Sequence, residues 1–184
     1  MQEALDRAAE APLPRTLIDI LRDTTEQYPD ASAVEDADGA VSYAELLAQV
    51  WRTAAVLREQ GVSQGDRVGI RMTSGRRDLY IAILGAMAAG AAYVPVDADD
   101  PQERADLVFR EARIVGMITD AGYLPADTSD ARQLFSSAAP HPSTSAVPVV
   151  TPPTVDDDAW IIFTSGSTGA VSYTHLRAHE TKAN

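Results

Sequence analysis

Apolar residues recur at three- and four-residue steps along much of the chain, and short apolar runs fall between these stretches. Leu17, Ile20, Leu21 and Tyr28 lie on one helical stripe, which Pro29 ends. Val34 precedes an Asp38-Gly39 turn and Val41 follows it, the pattern of a small hairpin. Ser42 can cap the next helix, with Glu45 three residues on as its capping-box partner. Tyr43, Leu46, Leu47, Val50, Ala54 and Leu57 line that helix, and Gly61 can end it in a left-handed conformation. Arg67 to Met72 reads as a strand with Val68 and Ile70 on one face. A second clear helix carries Leu79, Tyr80, Ile83, Leu84 and Met87 up to Gly90, and its small residues Gly85, Ala86, Ala88 and Ala89 predict close packing. Ala92 to Val96 is the next strand, with Pro95 marking a sheet edge or a strand end. Asp100 is expected to cap a third helix, with Pro101 in its first turn, Glu103 completing the box and Leu107, Val108 and Ala112 lining it, and Val115 to Thr119 reads as the strand after it.

Strand, helix, strand, helix and strand with short links call for parallel pairing. The expected fold is α/β, a layered parallel sheet with flanking helices. From Pro125 to Pro153 the periodicity fades into Pro, Ser, Thr and Ala, which predicts a surface loop with one short strand at Val147 to Val150.

Composition narrows the partners. The 184 residues are 45% hydrophobic and 23% charged, enough for one domain with a core. No uninterrupted apolar run is long enough to span a membrane. The formal net charge of −12 opposes a nucleic-acid partner. The absence of Cys excludes disulfides and a thiolate nucleophile and fits a cytoplasmic setting.

The C-terminus breaks the compositional pattern. Lys occurs once, at Lys182, and Asn once, at Asn184, whereas the body uses Arg and Ala, whose codons can be GC-rich. The run from Val171 to Thr181 also resembles a reading frame of a common sequencing adapter. Residues 171–184 are therefore expected to be a non-native tail, 1–14 a leader or linker, and 15–170 the domain. His175 and His179, four apart, have metal-ligand spacing, but foreign sequence with no selected function explains them better.

The candidate chemistry sits near the end. Ala159 to Phe163 is an apolar run suited to a buried strand, and it leads into Thr164, Ser165, Gly166, Ser167, Thr168 and Gly169. Glycines let consecutive N–H groups converge on an anion, and hydroxyls add neutral donors around phosphate oxygens. A plain flexible Gly/Ser turn remains the alternative. Neither a Walker loop nor a dinucleotide fingerprint is present.

Phe163 to Gly169 resembles the signature phosphate loop of the adenylate-forming superfamily. Val41-Ser42-Tyr43-Ala44-Glu45-Leu46 and Met87 to Asp97 resemble its first two core motifs, in order. The resemblance covers Arg15 to Gly169 and is nearest to adenylation domains of nonribosomal peptide synthetases. It implies an incomplete N-terminal part of the large domain of an adenylate-forming enzyme. By resemblance, Thr164 to Gly169 hold the β- and γ-phosphates of ATP with Mg²⁺. The substrate is a small carboxylate, an amino acid by preference, and the acceptor is the phosphopantetheine of a carrier protein. The first two motifs are explained by capping and packing, so no catalytic residue and no metal ligand is assigned. The family's Pro-Lys-Gly continuation is absent after Gly169, and so are its later motifs, so the chain itself is expected to be inactive in adenylation. Two alternatives stand beside this reading: an acyl- or aryl-CoA ligase, and a non-catalytic binding module.

Overall fold

The computed structural model describes residues 14–126, 152–165 and 171–177, with backbone alone for 164–165 and 171–177. Four helices and eight strands alternate along these segments: α1 (Leu17–Gln27), β1 (Ser32–Asp36), β2 (Gly39–Ser42), α2 (Tyr43–Glu59), β3 (Arg67–Arg71), α3 (Arg77–Ala88), β4 (Ala92–Pro95), α4 (Gln102–Ala112), β5 (Gly116–Thr119), β6 (Gly122–Pro125), β7 (Asp158–Ser165) and β8 (Val171–Arg177). β1 and β2 form the expected hairpin, with Val34 opposite Val41. The other strands make one sheet in the order β6-β5-β3-β4-β7-β8. Its four middle strands are parallel. Both edge strands run antiparallel to their neighbours, so the sheet is mixed rather than purely parallel.

Helix starts follow local chemistry. In α2 the Ser42 hydroxyl accepts from the Glu45 N–H (3.2 Å), and the Glu45 carboxylate accepts from the Ser42 N–H (2.8 Å). Thr16 and Asp19 build the same reciprocal box on α1, and Thr16 is buried. That box fixes the phase of α1 so that Ile18 and Leu21 face the core. Leu17, Ile20 and Tyr28 of the expected stripe are exposed instead. The third expected cap also differs. Pro101 is the N-cap of α4, which has no side-chain capping bond. Asp100 is diverted: its carboxylate accepts from Arg104 Nε (3.1 Å) and its carbonyl from the Arg71 guanidinium (2.8 Å). Leu107 and Val115 lie at the margin of exposure, and Tyr80 is half exposed.

The sheet separates two cores. On one face α1, α2 and α3 pack over Val68 and Ile70. On the other, α4 covers Ala92, Val94 and Ile161 through Val108, Phe109 and Ala112. Small residues set both spacings. A Cβ on Gly69 would stand 2.9 Å from the Phe109 and Ile114 side chains, and one on Gly85 would stand 2.6 Å from Thr53 Cβ. The small-residue stripe of α3 therefore serves helix–helix as well as helix–sheet contact. The expected strand at Val147 to Val150 lies outside the described residues.

Candidate functional site

Parallel strands end on one edge of a sheet, and in open α/β sheets small molecules bind in the crevice beyond those carboxyl ends. Among the described residues three turns reach this edge, after β3, β4 and β5, and β7 ends beyond it.

The first leads into α3, whose N-terminus could attract an anion. That position is filled from within. Asp36 accepts the Arg77 backbone N–H (3.0 Å), Arg77 Nε (3.1 Å) and a guanidinium N–H (2.6 Å). These hydrogen bonds from Arg77 hold the Asp36 carboxyl down at about 2. The second turn carries Asp97, Asp99 and Asp100, with Asp97 accepting from the Asp99 N–H (2.9 Å) and the Ser74 hydroxyl (3.2 Å). The third carries Asp120, which accepts from the Thr73 hydroxyl (2.9 Å). Carboxylates on both repel a phosphate.

The sequence that follows β7 is free of acids and rich in hydroxyls. β7 itself starts from a fixed point. Asp157 accepts from the Thr154 N–H (2.7 Å) and from the Gln64 side-chain amide (2.9 Å). Burial alone would raise the Asp157 pKa, but the bonds from Thr154 and Gln64 bring it below the ordinary value. Further along, Tyr93 of β4 pairs in register with Trp160. Their rings meet edge to face, 5.9 Å between centroids at 60°. Burial pushes the Tyr93 phenol up. Ile161 is buried on the opposite face, with Phe163 beside it against α4.

This register sets how far the turn projects. Ile70 is level with Pro95, the last residue of β4, and two parallel steps from the Tyr93–Trp160 pair bring Ile162 to the same level. β7 continues three residues past this line to Ser165, about 10 Å beyond the end of β4. The backbones of Thr164 and Ser165 lie opposite Ser172 and Val171. Gly166, Ser167, Thr168 and Gly169 lie outside the described residues. Sequence reading located the turn but missed its supports, Asp157 with Gln64 and Tyr93 with Trp160. The signal for the second pair was a large aromatic in each of two short strands.

The family model of AMP-binding enzymes matches residues 21–178, across nearly all of this framework. The chain belongs to the AMP-binding enzyme family. It is 38% identical to syringomycin synthase SyrB1 of Pseudomonas syringae pv. syringae over 88% of its own length and 27% of that protein's. It is 36% identical to enterobactin synthase component F of Escherichia coli O157:H7 over 91% of its length and 13% of that protein's. This AMP-binding chain thus spans about a quarter or less of these curated relatives. Among solved structures it resembles the N-terminal subdomain of Klebsiella oxytoca NpsA in complex with anthranilyl-AMSN, with TM-score 0.70 and 28% identity, covering 89% of this chain and 41% of that one. It also resembles the AMPPNP-bound form of the nonribosomal peptide synthetase FmoA3, with TM-score 0.73 and 30% identity, covering 91% of this chain and 18% of that one. The fold is the α/β architecture of the N-terminal subdomain of such adenylation domains. No helix among the described residues is long and apolar enough to cross a membrane.

Proposed function

We propose that this chain is part of an ATP-dependent ligase that activates a small carboxylate, an amino acid by preference, as an acyl-adenylate for transfer to a carrier protein. In that reaction a carboxylate oxygen attacks the α-phosphorus of ATP. The bond to the β-phosphate breaks, and pyrophosphate leaves. A phosphopantetheine thiol on the carrier then displaces AMP from the acyl group. Phosphoryl transfer of this kind depends on positioning and charge stabilisation. Thr164, Ser165, Gly166, Ser167, Thr168 and Gly169 would hold the β- and γ-phosphates with neutral donors. Mg²⁺ carried on those phosphates would offset their charge. The setting is cytoplasmic.

The family match over residues 21–178, which takes in this turn, carries the reading. The projection of β7 past an otherwise acidic sheet edge supports it. The relatives named above are synthases and peptide synthetases, which favours a carrier-linked enzyme over an acyl- or aryl-CoA ligase. One neighbour is an artificially fused adenylation–PCP di-domain. Amide exchange on the purified chain tests the binding step. ATP with Mg²⁺ should slow exchange from Thr164 to Gly169, and equal rates with and without nucleotide would remove the assignment.

From composition we also infer that residues 171–184 are foreign. β8 lies in this run, and its ladder with β7 is made by backbone groups, which do not depend on the origin of the side chains. Resequencing the locus tests this: an uninterrupted native frame through Thr181 would overturn it.

A further inference from the structure

Between α2, α3 and the β5–β6 side of the sheet lies an open cleft of about 360 Å³. That is within the range of small-ligand sites, about 300–1,000 Å³. α2 contributes Gln49, Arg52, Thr53, Val56 and Leu57, three and four residues apart on one face. α3 contributes Asp78, Ile81 and Ala82. Each helix leads by a short link into the start of a parallel strand, α2 into β3 and α3 into β4, so both run from the carboxyl edge of the sheet toward its amino edge. The polar positions Gln49, Arg52 and Asp78 therefore lie toward the carboxyl edge. Val56 and Leu57 lie toward the amino edge.

The sheet supplies the opposite wall through Met72, Ile118 and Tyr123. The Tyr123 ring can lie along the sheet because Gly116 has no side chain: a Cβ there would stand 2.5 Å from Tyr123 Cζ. The cleft thus has a polar end and an apolar end. From Gln49 to Leu57 α2 rises about 12 Å, enough to flank an acyl chain of medium length. Met72, unbranched and polarizable, can adapt to the shape of such a chain.

Charge at the polar end favours an anion. Arg52 is exposed and has no hydrogen bond or ion pair among the described residues. Asp78, the acid on the same rim, is offset by Arg76, whose Nε stands 4.0 Å from its carboxylate. The planar guanidinium of Arg52 offers paired N–H donors that match the two oxygens of a carboxylate.

We propose that this cleft binds a small anionic amphiphile, a carboxylate on one acyl chain of medium length, with its head on Arg52 and its chain between α2 and the Ile118–Tyr123 wall. The site is separate from the β7 turn, because β3 and β4 stand between β5 and β7 in the sheet. Nucleotide binding is not required for it.

The test titrates the full chain by calorimetry with decanoate and with decyltrimethylammonium, which share a chain length and carry opposite heads, both kept below their micelle concentrations. Decanoate should bind as one molecule per chain, at least tenfold tighter than the cation. Arg52→Gln should weaken decanoate about tenfold, as expected for losing a charged hydrogen-bonded pair. Asp78→Asn should not weaken it. Val56→Phe, which fills the apolar end, should abolish binding while far-UV circular dichroism shows the fold retained. No binding of decanoate, equal affinity for the two heads, or unchanged affinity in Arg52→Gln would overturn the assignment. Amide exchange on the parent chain locates the ligand without any variant. Decanoate should slow exchange in Gln49–Leu57 and Ile118–Tyr123 and leave α4, on the other face of the sheet, unchanged. Protection confined to α1, where Leu17 and Ile20 are exposed, would overturn it.

Discussion

Asp36 and Arg77, 41 residues apart in sequence, meet through three hydrogen bonds that clamp the β1–β2 hairpin onto the first turn of α3. The Asp36 side chain is only 4% exposed, so the hairpin supplies α3 with the capping anion that Arg76, its N-cap, does not. The carboxyl sits at about 2 when folded, below its ordinary 3.8. A depressed carboxyl adds stability that is fully present above the unfolded value and is lost as pH falls through the folded one. The clamp should therefore weaken between about pH 4 and pH 2. Urea unfolding across that range should show a steeper loss of stability in the parent chain than in Asp36→Asn, which lacks the titrating group. Parallel pH profiles would refute the clamp.

The contact between α2 and α3 makes Gly85→Ala a test of sign. Helix propensity alone would favour Ala by about 1 kcal/mol. The new Cβ would stand 2.6 Å from Thr53 Cβ on the facing helix, and overpacking of this kind costs about 1–3 kcal/mol. Net destabilisation is expected in chemical denaturation; a gain would show that the helices are more widely spaced.

Thr16→Ala should cost about 1 kcal/mol, the usual value of an N-cap side chain. The loss should fall on α1, because the Asp19 N–H loses its hydroxyl acceptor while the backbone N–H of residue 16 still donates to the Asp19 carboxylate. Amide exchange in the first turn of α1 would read it. Thr16→Ser, which keeps the hydroxyl, should restore protection.

Hydroxyls that bind a charged phosphate are each worth about 1.5–3 kcal/mol. Thr164→Ala and Thr168→Ala should each weaken ATP about tenfold or more by calorimetry. The chain alone should give negligible carboxylate-dependent ATP–pyrophosphate exchange, since it spans 41% of the NpsA subdomain it resembles. Robust exchange would overturn that expectation.

Much of this fold was legible because its signals are local. The Asp38-Gly39 turn, the Ser42–Glu45 box, Gly61 at a φ of +90° and the period-two pattern of Val68 and Ile70 each fix an element from a few neighbouring residues. What escaped was set at longer range. The face of α1 depends on the phase imposed by Thr16, and Asp100 was drawn from its expected cap by Arg71, 29 residues earlier. β6 was missed because Gly122 and Pro125, both turn-type residues, bound it and leave only Tyr123 and Leu124 to signal a strand. At the candidate site the turn stood out by residue type. Its supports at Asp157 and Tyr93 emerge only when two strands are laid side by side.

The reach of β7 past β4 also makes the spacing between Trp160 and Gly166 a matter of parity. Removing one residue would shorten the strand by about 3.3 Å and turn every following side chain to the opposite face of the sheet. Removing two would restore the facing but withdraw the turn by nearly 7 Å, most of its overhang. Neither length can vary alone, so a transplanted turn would have to bring with it the whole stretch from Trp160 onward.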